Sequence, residues 1–467
     1  MKRIINIATL LIILFAAACS KSFTEKNPYD SVPTSTALSS EADVAAALNG
    51  AYANMVNSNL YGRSIEVVGD VMADNVYVNV KNSGRYLPQY NYSVVSNDGT
   101  PTGTWTQAYS TILRVNQVIS ANVTGANVNQ YKGEAYAIRA LMYFNLVNTF
   151  AKPYTDDPTA FGVPIVLTYN PTLFPGRNKV SEVFTQIISD LKNAITMMGG
   201  YTSSVRFSKY AAEGLLAKVY LYQGDNTDAK AAALDVINNS GLTLVTPANY
   251  AAFWANPAIR TDKVETLFEV DCDAVNNVGF DALANMYYNG YDDLNISAGL
   301  YSLYSATDIR QSVMALGTGN NGGPAYIVLK FPNAQNTSDK DNLKVLRLSD
   351  VYLIAAESSL PGNETDAKKY LNLLMAQRDP SFTGYASTGV QLLNDIIQER
   401  RKELAFEGDR FYDLNRLKRD INRTANSSAI TAPASIPYTD YRRLAPIPLS
   451  EIQANVNIAS QPNPGYQ

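Results

Sequence analysis

The chain has no histidine among its 467 residues. Without histidine, Ser-His-Asp and Cys-His catalytic arrangements and HExxH zinc sites are excluded, and any chemistry would rest on Asp, Glu, Tyr, Lys or Arg. Charged residues are scarce, at 17%, and the net charge is −4. A sequence-independent nucleic-acid binder needs a basic excess to neutralise phosphates, so that class is excluded too.

Cysteine is rare as well, with two residues in the chain, and the first is the last residue but one of the N-terminal stretch MKRIINIATLLIILFAAACS. Lys2 and Arg3 precede an apolar run that is too short to span a bilayer comfortably, and small residues follow it. This pattern predicts a secretory signal peptide over residues 1–18. The placement of Cys19 resembles a bacterial lipobox, in which the cysteine is lipidated, although Ala16 stands where leucine is preferred. The alternative is an ordinary signal peptide with an incidental cysteine.

Lipidation of Cys19 would leave Cys272 without a partner. The mature protein is then predicted to be exported without a disulfide, so its stability must come from its core. Apolar residues make up 46% of the chain, which is enough for a sizeable core. Residues 20–40 are polar and contain two prolines, and we interpret them as a tether.

The helical period of apolar residues begins after Ser40, which has the sequence of a helix cap. The same period predicts helices over 104–121, 131–151, 179–198 (with a capping box at Ser181) and 208–241, the last divided in two by Gly224-Asp225. Residues 74–103 lack a clean period and predict a loop with short strand pieces.

A repeat appears within the helical part. Leu216, Ala217, Tyr220, Gly224 and Ala229 have the spacing of a tetratricopeptide unit, in which small residues let two antiparallel helices approach. A weaker copy covers 351–378, and the helices at 134–150 and 179–198 form a third candidate pair, opened by a proline-rich insertion.

The period is lost between 242 and 345, where short strands are predicted at 265–270 and 325–330. The predicted fold is therefore mainly α. Tetratricopeptide-like helix pairs, about 134–240 and 348–420, support an irregular insertion at about 242–345 with a few short strands. Such loops on a helical scaffold are where binding sites tend to lie.

The most charged stretch is ERRKELAFEGDRFYDLNRLKR, residues 399–419. Its glutamates recur every four residues on a predicted helix that Gly408 should end, and a second helix should face it with guanidinium groups. We expect a structural ion-pair network that braces the two helices, formed by Glu399, Arg400, Glu403, Glu407, Arg410, Asp413 and Arg416. A catalytic carboxylate pair is the disfavoured alternative, because adjacent arginines lower carboxyl pKa values.

This stretch also looks like the C-terminal signature of the SusD/RagB family, surface glycan- and nutrient-binding lipoproteins of Bacteroidetes. Further blocks carry the resemblance along the chain: EAYAIRALMYFNLVNTFA, FGVPIVL, SEVFTQIISDLKNAI, KYAAEGLLAKVYLYQGD, VLRLSDVYLIAAES and LAPIPLSEIQANVNIASQPNPGY. One departure is Asp409, where the family often carries histidine.

The resemblance implies a signal peptide (1–18), a lipidated tether (19–40) and one SusD-like domain (41–467). It implies anchoring at the outer membrane through Cys19, facing outward, with no cofactor and no catalysis. It also implies a partner, a TonB-dependent SusC-like barrel transporter over which the protein acts as a lid. The protein would capture an oligomer and deliver it through the barrel.

No family motif fixes the ligand residues, so the candidates come from residue chemistry. A tyrosine ring packs against sugar C–H groups while its hydroxyl hydrogen-bonds, and the chain has 31 tyrosines. The predicted ligand surface combines the two irregular segments: Tyr77, Arg85, Tyr86, Tyr90, Tyr287, Tyr288, Asn289 and Tyr291. The alternative is that these tyrosines fill the cores of the loops.

No metal site is predicted, because the segment DCDAVNNVG departs from a calcium loop. The favoured function is oligosaccharide binding for uptake. A RagB-like peptide-binding protein is an alternative, and a carboxylate-based surface glycoside hydrolase, for example with Asp292-Asp293, is a less favoured one.

Overall fold

A computed structural model describes residues 38–170, 172–288, 290–337, 339–360 and 362–466. Cys19 and Asn289 lie outside the described residues. The described residues form sixteen α-helices: α1 Glu41–Met55, α2 Ser64–Val71, α3 Leu87–Asn91, α4 Gly99–Ser120, α5 Val128–Phe150, α6 Val180–Met197, α7 Lys209–Gln223, α8 Asn226–Asn239, α9 Tyr250–Ala255, α10 Leu283–Tyr287, α11 Ala298–Tyr301, α12 Leu348–Ser358, α13 Glu364–Met375, α14 Gly389–Glu403, α15 Arg410–Arg416 and α16 Leu449–Ala454.

The strands are few and short. Within the described residues they are β1 Val76–Val78, β2 Thr266–Val270, β3 Leu294–Ile296, β4 Met314–Thr318, β5 Pro324–Val328, β6 Leu343–Arg347, β7 Ile421–Asn422 and β8 Ser435–Ile436. They pair antiparallel as β1–β3, β2–β6, β4–β5 and β7–β8. The mainly α fold with short strands in the insertion is confirmed, including strands close to both predicted positions.

Local sequence explains where several helices begin. Ser40 accepts a hydrogen bond from the Asp43 amide and Asp43 accepts one from the Ser40 amide, which is a capping box. Gly224, at φ +84°, ends α7, and Asp225 caps α8, as the repeat spacing predicts. Helix α6 begins one residue before Ser181, because Glu182 accepts from the amide of Lys179 instead.

The tetratricopeptide-like pairs pack as expected from their small residues. Helix α5 lies along α6, α7 along α8, and α12 along both α13 and α8. One hydrophobic cluster includes buried residues from Val44 to Ile458 and therefore joins the scaffold to the insertion. The domain limits 41–467 stay a prediction.

Two boundaries differ from the sequence prediction. The segment 74–103, which was expected to be a loop, contains α3 and the start of α4. Asp98 caps α4 by accepting a hydrogen bond from the Thr100 amide. Pro101 fits in the first turn of α4 because the backbone amides there have no intrahelical partner. Helix α14 ends at Glu403, before the predicted stop at Gly408. The reason lies in the backbone between them, where Phe406 already adopts a left-handed φ of +67°.

Candidate functional site

The two irregular segments meet because β1 pairs with β3, more than 200 positions further along the chain. Val78 at the end of β1 lies opposite Leu294 at the start of β3. The loop that follows β1 and the loop that precedes β3 therefore emerge at the same end of this small ladder. Arg85 lies on the first loop and Tyr291 on the second, so strand pairing brings the two side chains together.

An aromatic pair forms the surface at this point. The rings of Phe280 and Tyr291 are 4.8 Å apart between centroids and cross at 80°, an edge-to-face contact. Phe280 is 53% exposed although it is fully apolar. The guanidinium of Arg85 lies 3.6 Å from the centroid of the Tyr291 ring, a cation–π contact that holds the ring. We call Phe280, Asp281, Tyr291 and Arg85 the aromatic platform.

Asp281 connects the members of the platform. Its Oδ1 accepts from Arg63 Nη1 at 2.7 Å, from Tyr291 Oη at 3.1 Å and from Arg85 Nη2 at 3.3 Å. Burial alone would raise the pKa of Asp281, but Arg63, the Tyr291 hydroxyl and Arg85 hold that pKa below its ordinary value. The carboxylate stays charged and orients the ring and both guanidiniums.

Residues outside the aromatic platform hold its side chains and backbone in place. Tyr86 is buried, and its hydroxyl accepts from Arg63 Nε at 2.8 Å and contacts Ser64 Oγ at 2.9 Å. Asn320 donates through Nδ2 to the Tyr291 carbonyl at 2.9 Å, which ties the loop before β3 to the turn after β4. The backbone of the platform is therefore fixed by hydrogen bonds outside it.

Four of the predicted ligand tyrosines are not available to a ligand in this structure. Tyr77, Tyr86, Tyr90 and Tyr287 are at most 5% exposed. Their amphipathic rings are used for packing, which is the alternative left open by the sequence. Tyr90, for example, lies beneath the Arg423 guanidinium, at 4.2 Å.

Tyr287 has a separate structural role. Its ring stacks on Phe331 at 6.2 Å and packs edge-on against Phe406 at 5.7 Å. Burial raises the pKa of Tyr287 well above its ordinary value, so the hydroxyl stays neutral. The side chain anchors the insertion on the turn after α14.

Of the remaining candidates, Arg85 and Tyr291 lie in the platform and Tyr288 is exposed, at 37%. Sequence reasoning missed Phe280 and Asp281. The sequence did contain an indication of Phe280. It is a large apolar residue in a stretch of Asn, Val and Gly, where apolar residues do not recur at the spacing of a helix or strand that would bury it.

The charged stretch forms a buried network, and Glu403 is its centre. Its carboxylate binds three guanidiniums: Arg347 Nη1 at 2.8 Å, Arg378 Nε at 2.9 Å and Arg310 Nη1 at 3.3 Å. Burial would raise the pKa of Glu403, but these three cations hold that pKa well below its ordinary value. All four side chains are at most 1% exposed.

The partners differ from those predicted. Among the described ion pairs, none of the three glutamates binds a guanidinium of α15. Apart from Lys402, which lies on α14 itself, the cations that they bind come from other parts of the chain. Glu399 binds Arg310 and Lys402, and Glu407 binds Arg347 and Lys330. Arg310 and Lys330 belong to the insertion, so the network fastens the insertion to the scaffold.

The second half of the stretch makes its own pairs. Among the described ion pairs, one joins these two helices: Arg400 on α14 binds Asp413 on α15 at 3.2 Å. Its charges are reversed from the prediction, which placed the carboxylates on α14 and the guanidiniums on α15. Arg400 also binds Asp350 at 2.8 Å. Arg416 binds Glu357 with two hydrogen bonds, and Arg410 binds Asp74 in the same bidentate way. Asp409, where the family often has histidine, pairs with Lys218.

Comparison with known proteins adds to this geometry. Residues 22–221 match a SusD-like family model described as starch-binding and associating with the outer membrane, and residues 318–466 match the model of the SusD family. A crystal structure of a SusD superfamily protein from Bacteroides thetaiotaomicron is 31% identical and covers 91% of this chain and 99% of that chain, with a TM-score of 0.82. The chain belongs to the SusD family.

Other relatives agree over nearly the whole length. A protein from Bacteroides vulgatus is 31% identical and covers 92% of this chain and 100% of that chain, with a TM-score of 0.85. SusD-like protein P2 of Formosa agariphila is 27% identical over 99% of both chains. The SusD family is a family of carbohydrate-binding proteins associated with the outer membrane.

Across the described ranges, no helix is both long enough and apolar enough to span a bilayer. Within the same ranges, no group of three or more acidic or cysteine side chains is arranged to hold a metal ion.

Proposed function

We propose that this SusD-family protein binds oligosaccharides on its aromatic platform at the cell surface and passes them to a TonB-dependent, SusC-like transporter. The observation that supports the ligand part is the edge-to-face pair of the exposed Phe280 and the partly buried Tyr291, with charged groups at its edge. An exposed aromatic ring that packs against a second ring and has charged groups at its edge is a candidate ligand-binding surface.

The chemistry of the platform suits a sugar. The C–H face of a pyranose packs on an aromatic ring, and sugar hydroxyls exchange hydrogen bonds with groups at the ring edge. Arg85 supplies donors, and Asp281 and the Tyr291 hydroxyl supply acceptors. Tyr288 is exposed and lies close to Tyr291 in the sequence, and we propose that it extends the same surface. Asn289 lies outside the described residues, and its role in binding stays a prediction.

The proposed role is binding without hydrolysis. A glycosidase needs a carboxylic acid that stays protonated, together with a second carboxylate across the bond. Arg63 and Arg85 keep Asp281 ionised, which suits it for orientation and not for proton donation. Asp293 of the adjacent pair Asp292-Asp293 already accepts from the amide and hydroxyl of Ser83.

We also propose that Cys19 carries lipid and anchors a single domain, residues 41–467, to the outer membrane. Several acyl chains on one residue anchor a protein firmly, since each buried CH₂ contributes about 0.8 kcal/mol. The anchor would place the platform beside a membrane-embedded transporter.

One experiment separates binding from turnover. Purified protein is run in affinity electrophoresis against a panel of polysaccharides, and the same mixtures are assayed for released reducing ends. Retarded migration without released ends supports the proposal. Turnover that a single Asp292→Asn substitution abolishes would favour the hydrolase, and retardation by no glycan with binding of peptides would favour the RagB-like alternative.

A further inference from the structure

A polar cleft lies away from the aromatic platform, where three segments of the chain meet. The loop after α5 contributes Lys152, Pro153 and Asp156, helix α15 contributes Asn415, and the segment 438–444 supplies the remaining lining residues. The cleft and the aromatic platform have no lining residue in common within the described part of the chain. We call this space the C-terminal cleft.

One buried guanidinium at the C-terminal cleft has an unpaired donor. Arg443 is 3% exposed, and it donates through Nε to Asn415 Oδ1 and through Nη1 to the Arg419 carbonyl, both at 2.8 Å. Its Nη2 is shielded from solvent and has no hydrogen-bond partner among the described residues. A buried charged donor without an acceptor is costly, so this position favours an acceptor that the protein itself does not supply.

Other buried arginines show how this cost is ordinarily avoided in the chain. Arg378 and Arg416 bind carboxylates. Arg177 donates to carbonyls through Nε, Nη1 and Nη2. Among the buried side-chain atoms that the structure describes, Arg443 Nη2 is the single guanidinium nitrogen without a partner. The local structure around Arg443 therefore differs from the way in which the chain treats its other buried arginines.

The unpaired donor belongs to the edge of the guanidinium that faces a wall of the cleft. In a guanidinium, the Nε–H bond and one Nη2–H bond point the same way, like the two prongs of a fork. The Nε of Arg443 reaches Asn415, which is a lining residue of the cleft. The ring of Tyr438, another lining residue, has its centroid 5.6 Å from the guanidinium carbon. One Nη2–H bond is therefore directed to the same side as Asn415.

The lining of the cleft also has more cations than ion pairs. Lys152 is exposed, and neither Lys152 nor Arg443 binds a carboxylate among the described ion pairs. The two aspartates of the cleft already bind other cations, in the pairs Asp440–Arg442 at 2.6 Å and Asp156–Lys418 at 3.5 Å. Asp420 accepts from the Tyr438 amide at 2.7 Å and does not line the cleft. Burial lowers the pKa of Arg443, but an arginine pKa is so high that the guanidinium stays charged.

The volume of the cleft limits the class of ligand. It is about 220 Å³. Pockets for drug-sized ligands begin at about 300 Å³, and an oligosaccharide is larger still. The C-terminal cleft therefore has room for a small ion or for one charged group of a small molecule, and two unpaired cations select a negative charge.

We propose that the C-terminal cleft binds a small oxyanion. One oxygen of the anion accepts from Arg443 Nη2, and a second oxygen accepts from the Lys152 ammonium. Hydrogen bonds between ionised partners are about twice as strong as neutral ones, which suits a ligand with few atoms. The bound anion links the loop after α5 to the segment 438–444. This site is independent of the platform and of the glycan proposed to bind there.

Calorimetric titration of the purified protein tests the binding. Inorganic phosphate, sulfate and acetate are titrated separately at constant ionic strength in chloride buffer, so that general screening does not change. We expect saturable binding of one anion per protein for at least one of the three. Tightest binding of phosphate or sulfate assigns the site to tetrahedral anions, and tightest binding of acetate assigns it to carboxylates. No saturation by any of the three up to about 10 mM would overturn the proposal.

Two variants and a control locate the bound anion. Arg443→Lys keeps the charge but loses the fork, and it should weaken binding about tenfold. Lys152→Gln alters an exposed side chain without risk to the fold, and it should weaken binding about threefold. The matched control is Lys192→Gln, which removes an exposed lysine from α6 and should bind as wild type does. Wild-type affinity in either cleft variant, or an equal loss in the control, would overturn the proposal.

Crystals soaked in selenate give an independent readout on the wild-type protein. Selenium scatters anomalously, so a peak in the anomalous map marks each bound anion. A peak within hydrogen-bonding distance of Arg443 Nη2 supports the proposal. Peaks only at other positions, or an adventitious ion only, at a lattice contact, would overturn it. Glycan binding is measured separately with the platform variants, so failure of either proposal leaves the other intact.

Discussion

Arg378 and Glu403 are joined by two parallel hydrogen bonds, Nε to Oε2 at 2.9 Å and Nη2 to Oε1 at 3.0 Å, with both side chains out of contact with solvent. The same carboxylate also holds Arg347 and Arg310. Three cations share one acid because Glu265, Asp308, Glu399 and Glu407 surround them with further negative charge. The network connects α14, the strand before α12 and the insertion.

Substitution of Glu403 by Gln should therefore strongly lower the free energy of unfolding. It leaves three buried guanidiniums short of one negative charge, and removing one partner of a buried pair typically costs roughly 3–5 kcal/mol. The measurement is urea unfolding at neutral pH, followed by circular dichroism. Asp366→Asn, which breaks the surface pair with Lys230, is the control and should change the midpoint little. Equal midpoints for the two variants would contradict the structural role of the network.

Gly69 and Gly408 give a second prediction, which tests the turn after α14. A Cβ on Gly69 would lie 1.8 Å from the carbonyl oxygen of Gly408, which is backbone and cannot move aside cheaply. Gly69→Ala should lower the free energy of unfolding by about 1–3 kcal/mol. Gly50→Ala is the matched control, since its Cβ would meet only Arg114 at 3.9 Å, and it should raise stability by about 0.5–1 kcal/mol. Stabilisation by both would show that the two glycines are not in contact.

Glu66 predicts a dependence of stability on pH. Its Oε2 has no hydrogen-bond partner among the described residues, and burial together with the charges of Glu407, Asp409 and Asp70 raises the pKa of Glu66 well above its ordinary value. The folded state therefore keeps a proton that the unfolded chain releases above about pH 4.3. The stabilisation that comes from this bound proton is fully present below about pH 4.3. Above that pH it falls by about 1.4 kcal/mol for each pH unit, until the pH reaches the pKa of Glu66 in the folded protein.

Glu66→Gln removes this titration while keeping the shape of the side chain. The variant should lose less stability than wild type between pH 5 and pH 8, and the two should converge toward pH 5. Chemical unfolding at several pH values measures both slopes. Parallel slopes would mean that Glu66 is ionised in the folded protein.

Much of the scaffold was predictable from the sequence, because it depends on local patterns. Apolar residues at helical spacing placed α5 to α8, and the pair Gly224-Asp225 marked the turn between α7 and α8. Strands β2 and β5 were found because each is a short apolar run between polar residues. These signals lie within a few residues of the elements that they specify.

The site was less predictable because it depends on contacts over long distances in sequence. The pairing of β1 with β3 joins two three-residue strands, and neither has a pattern long enough to reveal it. Arg85 and Tyr291 were chosen from separate segments and do lie in contact, but their role in binding stays a prediction. Tyr77 and Tyr287 were chosen by residue type alone, and tertiary packing buries them. The carboxylates of α14 were expected to pair with the next helix because sequence proximity was the only guide available.

Anchoring gives a prediction at the cellular level. Cys19→Ser should release the protein from the outer-membrane fraction, because no acyl chain is then attached. Cys272→Ser is the control, since the Cys272 thiol is buried and its burial raises its pKa, so it is inert. Quantitative blotting of membrane and soluble fractions measures both. Retention of the Cys19 variant in the membrane would show that the lipid is not the anchor.

The central claim is that the Phe280–Tyr291 platform binds glycan, and calorimetric titration tests it most directly. The titration uses an oligosaccharide that retards the wild-type protein in affinity electrophoresis. Loss of an aromatic stacking partner at a binding site typically costs at least about 1.4 kcal/mol, so Phe280→Ala and Tyr291→Ala should each weaken binding about tenfold or more. The matched control is Tyr441→Ala, which removes one ring of another edge-to-face pair, with Tyr466 at 5.4 Å and 76°, and should bind as wild type does. Wild-type affinity in both platform variants would contradict the account.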